Sequence, residues 1–156
     1  MSGFIGQGSK SGIIGAKQST SGLSDYEEGS WTAGITTGAG AASMSVADCR
    51  YTKIGRVVHL TGAIQTSSHS GSGVCYVTGI PFSTDGGNDM NSRSAGSISA
   101  WGFTGSPTND FHAVIFSSSN TFYIQDQGAN DVGAHVDGDT EFRFQLTYIV
   151  SVTNKG

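Results

Sequence analysis

The chain is short of charge. Only 13% of its 156 residues are Asp, Glu, Lys or Arg. Disordered chains stay in solution through charge, and this composition does not match theirs. The formal charge is −4, and the basic residues are scattered, with only Arg50, Lys53 and Arg56 close together. Phosphate recognition needs clustered Lys and Arg, so nucleic acid is not an expected partner. Long apolar runs are missing too: no segment approaches the ~18 consecutive apolar residues of a membrane span. Met1 is not followed by the apolar core of a signal peptide. The expectation is therefore no membrane insertion, and synthesis in a cytosol without export by the general secretory route. Cysteine is scarce as well. Cys49 and Cys75 belong to no C-x-x-C pair, which removes the common metal and redox motifs. In a reducing compartment they read as two small buried hydrophobes, with a disulfide between adjacent strands as the lesser reading.

Catalytic signatures are also lacking. There is no G-x-S-x-G, no H-E-x-x-H and no phosphate-cradling glycine loop. His59, His69, His112 and His135 stand far apart in sequence, and none has a neighbour at ligand spacing. The expectation is a non-enzyme with no catalytic residue, metal or cofactor. Carboxylates do crowd one region. Asp137-Gly138-Asp139-Thr140-Glu141 offers the alternating oxygens that hard cations such as calcium favour. It lacks the rest of an EF-hand loop, and Asp137-Gly138 fits an ordinary hairpin turn.

Glycine is abundant, with 24 residues, and each costs roughly 1 kcal/mol against alanine inside a helix. The fold class expected is all-β, short strands joined by tight turns. Ser30 to Thr36 reads as a first strand and Thr37 to Ala42 as a small-residue loop. Cys49 to Ile54 and Arg56 to Gln65 read as a hairpin turning at Gly55. In its second limb Val58, Leu60, Gly62 and Ile64 share one face, against Val57, His59, Thr61 and Ala63 on the other. Val74 to Gly79 is stopped by Pro81, which cannot donate to a ladder. Ser94 to Ala100, Phe111 to Ser117 and Thr121 to Asp126 follow. Glu141 to Val152 is the clearest strand, with Phe142, Phe144, Leu146, Tyr148 and Val150 on its apolar face. Strands at such spacing form a sandwich, jelly roll or barrel.

Residues 1–29 differ in kind and read as a docking arm, leaving 30–156 as the folded domain. Gly3-Phe4-Ile5-Gly6 is echoed by Gly12-Ile13-Ile14-Gly15. Burying Phe4, Ile5, Ile13 and Ile14 contributes on the order of 6–12 kcal/mol. Ordering the segment costs about 1–2 kcal/mol per residue, so these anchors need a partner that also supplies hydrogen bonds. A weaker candidate site is Trp101, Phe103, Asn109 and Asp110, where aromatic faces beside polar groups suit a glycan.

One stretch carries more than its physics. Asp25-Tyr26-Glu27-Glu28-Gly29-Ser30-Trp31-Thr32, followed by Arg50-Tyr51-Thr52-Lys53-Ile54-Gly55-Arg56-Val57-Val58, resembles a module of tailed-bacteriophage virion proteins. There the corresponding runs read D-Y-E-E-G-T-W-T and R-Y-T-K-I-G-N-V-V. Gly79-Ile80-Pro81-Phe82 resembles the module's G-L-P-F, and Phe144 to Ile149 its closing F-x-G-x-Y strand. The resemblance spans Asp25 to Tyr148 and departs at Ser30, Ala33 and Arg56. It implies a jelly-roll-like antiparallel β-sandwich knob with an extended N-terminal arm, assembled as a homotrimer at the ends of phage fibres, spikes or head decorations. Trp31 and Tyr51 then read as core or interface aromatics, and Gly29 and Gly55 as turn residues. The function expected is a virion structural protein made in the bacterial cytoplasm. A start at Met1 and the want of a long shaft favour a capsid decoration or head-fibre protein, held to capsid or tail protein through the arm. The alternative is a tail-fibre tip or adhesin binding a host surface glycan.

Overall fold

The alternation that begins at Glu141 becomes the strand around which the others are arranged. The computed structural model describes residues 26–86, 93–103, 110–126 and 131–150. The docking residues Phe4, Ile5, Ile13 and Ile14, and Asn109 of the glycan site, lie outside these ranges. Ten strands are present: β1 (Tyr26–Trp31), β2 (Gly34–Thr37), β3 (Gly40–Ala41), β4 (Ser43–Ile54), β5 (Val57–Ser68), β6 (Cys75–Thr78), β7 (Ser94–Trp101), β8 (Phe111–Ile115), β9 (Thr121–Asp126) and β10 (Glu141–Ile149). A short 3-10 helix covers Asp131–His135, and no α-helix occurs among the described residues. The protein is all-β.

The strands form one antiparallel sheet in the order β1-β4-β5-β10-β7-β8-β9-β6-β2-β3. A flat sheet would hold β10 and β9, three places apart, roughly 14 Å from each other. Yet the Phe144 ring of β10 and the Phe122 ring of β9 meet with centroids 5.0 Å apart. The sheet therefore bends until rings from both halves share one core. Trp31 of β1 joins the same ring cluster, 6.1 Å from Phe144.

Residue type explains the bend's contents. Phe142, Phe144, Leu146 and Tyr148 alternate inward along β10, and Val58, Leu60 and Ile64 do so along β5. From the other half come Ile35, Cys75, Val77, Ala113, Ile115, Phe122 and Ile124. Cys49 and Cys75 are free and buried, on strands that are not neighbours in the sheet. Burial holds the Cys49 thiol up to about 11 and the Cys75 thiol up to about 12. Among the described residues the buried threonine hydroxyls are partnered: Thr66 Oγ1 donates to Asp137 O, Thr84 Oγ1 donates to Phe116 O at 2.7 Å, and Thr140 Oγ1 donates to Gly102 O at 3.1 Å. Such bonds remove the cost of a buried unpaired polar group, about 1–3 kcal/mol.

Several strand boundaries differ from the sequence reading: β4 begins at Ser43 rather than Cys49, and the expected loop Thr37 to Ala42 contains β3, Gly40–Ala41. Ser30 to Thr36 is not one strand. It breaks at Thr32 and Ala33, with β1 at one edge of the sheet and β2 beside the other edge. Trp31, Ala33 and Ile35 keep one alternating phase and all face the core, while the break carries the chain from one edge of the sheet to the neighbourhood of the other. Tyr26 to Gly29, assigned above to the arm, are sheet residues. Tyr26 pairs with Ile54, Glu27 with Lys53, Glu28 with Thr52 and Gly29 with Tyr51. Glu27 and Glu28 carry no apolar alternation, so the sequence gives no strand signal there. Their carboxylates instead accept hydroxyl bonds from Tyr51, at 2.7 Å, and Tyr26, at 2.5 Å.

Candidate interaction face

The phase that puts Val58, Leu60 and Tyr148 inward puts their neighbours on the opposite, outer face of β1, β4, β5, β10 and β7. Residues directly paired across strands share a face, so the registers sort this surface into rows. At one end the row is Tyr26, Ile54, Val57 and Ile149, crossing β1, β4, β5 and β10. The first three are large apolar side chains in solvent, 45%, 55% and 43% exposed. The next row is Glu28, Thr52, His59 and Thr147, where His59 Nδ1 and Thr147 Oγ1 lie 2.8 Å apart. At the far end Val46, Gln65, Glu141 and Trp101 form the last row, across β4, β5, β10 and β7.

The apolar row has a local cause. Ile54 and Val57 flank the Gly55 turn, where the backbone takes φ +59°. They occupy the phase of their strands that next carries Thr52, Arg50, His59 and Thr61. The turn is anchored rather than loose: Arg56 Nε donates to Val150 O at 3.0 Å, and Arg56 Nη2 meets Asp85 Oδ2 at 2.6 Å. Contiguous exposed apolar residues of this kind mark an interaction surface far more often than isolated ones do.

The outer face of the other half is aromatic but better covered. Tyr76 and Tyr123 pair across β6 and β9 with ring centroids 5.8 Å apart, and Phe116 meets Tyr123 edge-on at 5.2 Å. The Arg93 guanidinium sits over the Phe116 ring at 5.7 Å. All three rings are half-buried, so the cluster is satisfied largely within the chain.

The proposed glycan residues are divided by the fold. Trp101 ends β7 on the outer face and is 77% exposed. Phe103 turns the other way, stacked on Phe111 at 4.8 Å and edge-on to Phe142 at 5.5 Å. It packs against the core and shares no surface with Trp101. Asp110 is exposed at the start of β8.

The carboxylate-rich segment forms the turn between the 3-10 helix and β10, so Asp137-Gly138 is not the hairpin turn expected from sequence. Asp137 Oδ1 accepts from Asp139 N at 3.0 Å, while Thr140 Oγ1 accepts from Asp137 N at 2.9 Å. Glu141 Oε1 accepts from Arg143 Nε at 2.5 Å. Among the described residues no group of three His, Cys, Asp or Glu side chains is placed to hold a metal. His69 is tied instead to Thr37, Nε2 to Oγ1 at 2.8 Å.

The apolar row escaped the sequence reading, although its signal was present. Val57 and Ile149 break the polar phase of two strands otherwise read correctly, and Ile54 faces Val57 across a two-residue turn. What sequence could not supply was the register that lines them up. Comparison with protein-family models, with curated proteins and with solved structures found no match to the chain.

Proposed function

We propose that this chain is a structural protein of a phage particle, a jelly-roll-like sandwich knob that assembles as a homotrimer and is held to capsid or tail protein by its N-terminal arm. The observation that carries self-assembly is the row Tyr26, Ile54, Val57 and Ile149. Each of its first three members is about half exposed, and covering it gains roughly 1 kcal/mol apiece in every copy. An apolar row needs no complementary charge, so the rows of three copies can meet around a threefold axis and cover one another. Placement on a particle is supported by the motif resemblance. Most of its landmark residues have fold roles here: Trp31 and Tyr148 are buried, and Gly55 makes the β4–β5 turn. These roles support taking the resemblance as one of architecture rather than of receptor.

The row also sits where an arm would leave. Tyr26, its first member, is also the first described residue. Trp101 lies at the other end, and the nine residues of β10 between the two rows span roughly 27 Å. That separation favours a second reading, in which the end bearing Trp101 faces a host surface glycan.

The direct test of placement is imaging of particles labelled on this protein. Label on the capsid lattice supports a decoration or head-fibre protein, and label at the tail tip supports the adhesin. Particles from the producing host that carry no label contradict the virion assignment.

A further inference from the structure

We propose that Trp101, Glu141 and Gln65 form a binding platform for a neutral disaccharide segment. This deepens the glycan reading by naming the subsite, and it depends on neither trimer nor particle.

Trp101 pairs directly with Glu141 on β10, and Glu141 pairs directly with Gln65 on β5. All three therefore stand on the outer face in one line. Two interstrand steps span roughly 10 Å, which matches two pyranose rings at about 5 Å each. At one end of the line an indole is 77% exposed. Beside it, on the same face, come a carboxylate and a primary amide, with Val46 beyond Gln65 at the other end of the row.

This mixture selects the ligand. An apolar protein partner covering Trp101 would strip water from Gln65 and Glu141 and leave their polar atoms unpaired, which is unfavourable. A pyranose offers both surfaces at once: its C–H face stacks on an aromatic ring, and its hydroxyls bond amide and carboxylate groups. Charge narrows the class further. Glu141 Oε1 is already taken by Arg143 Nε at 2.5 Å, so the pair is neutral together and an ionised sugar gains nothing from it.

The platform is built on fixed backbone. Gly102, which follows Trp101, takes φ +76°, and a Cβ there would lie 2.5 Å from Asp139 O. Thr140 Oγ1 donates to Gly102 O at 3.1 Å, and Thr140 N donates to Thr66 Oγ1 at 3.1 Å. Thr66 follows Gln65, and Thr140 precedes Glu141. One buried hydroxyl network thus holds the neighbours of all three platform residues, and a preorganised site loses less entropy on binding.

The test titrates the full chain with maltose, cellobiose, lactose and 3′-sialyllactose, following indole fluorescence. Trp31 is buried, so a ligand-dependent change reports Trp101. The expected result is a saturable change with at least one neutral disaccharide. It should disappear in Trp101→Ala, persist in Trp101→Phe when followed by ligand-observed NMR, and need about tenfold more sugar in Gln65→Ala. All three positions are at the surface, and unchanged melting temperatures confirm that the variants fold. No response to any neutral sugar, a response only to the sialylated one, or a response that survives Trp101→Ala overturns the proposal. Sedimentation and particle labelling read the assembly proposal independently of this titration.

Discussion

Phe144 lies directly over Gly62. The two are partners in the β5–β10 ladder, and a Cβ on Gly62 would stand 2.5 Å from Phe144 Cζ and 2.6 Å from Cys49 Sγ. The ring that joins both halves of the bent sheet thus occupies the volume that a side chain on β5 would need.

Gly62→Ala is therefore expected to destabilise the protein by about 1–3 kcal/mol, the usual cost of overpacking a filled core. In an open strand the same change would stabilise, by about 0.4–1 kcal/mol, through the unfolded chain. Urea unfolding of the two proteins separates these outcomes by sign. A neutral or stabilised Gly62→Ala would mean that Phe144 is free to move.

The N-terminal boundary can be located by a pair of truncations. A protein starting at Tyr26 keeps all of β1, whereas one starting at Ser30 loses Tyr26 to Gly29 and the Tyr51–Glu27 bond. Thermal melting should place the second clearly below the first. Equal melting temperatures would show that the first four residues of β1 contribute nothing to the sheet.

Burial raises both thiols, to about 11 for Cys49 and about 12 for Cys75, from ordinary values near 9. The folded chain thus holds these protons to higher pH than the unfolded chain. Their contribution to stability is complete below about pH 9 and declines as pH rises through 11 and 12. Because the thiolate is the reactive form, Ellman's reagent at pH 8 should label neither cysteine until guanidinium unfolds the protein. Rapid labelling of the native chain would contradict the burial.

Much of this architecture was legible because it rests on period. The inward residues of β5 and β10 are the ones that alternation selects, and Thr121–Asp126 is the strand that its β-branched and aromatic content marks out. The break at Thr32 and Ala33 was not legible. It is set by where β1 and β2 find partners, Tyr26 with Ile54 and Ile35 with Val77, and pairing between distant strands leaves no local trace. The same holds for the surface. Trp101 could be picked out as a candidate, but its partners Glu141 and Gln65 are 40 and 36 positions away in the chain. Phe103, two positions from Trp101, turns to the opposite face.

Copies of the chain are expected to meet through the row Tyr26, Ile54, Val57 and Ile149. Sedimentation velocity on the full chain at micromolar concentration measures this directly. The expected mass is roughly three times the 16.1 kDa of one chain. Changing Ile54 and Val57 together to threonine keeps β-branched side chains on these strands while removing apolar surface, so that variant should fold and sediment as a monomer. A wild-type monomer, or a double variant that remains as fully assembled as the wild type, would contradict the account.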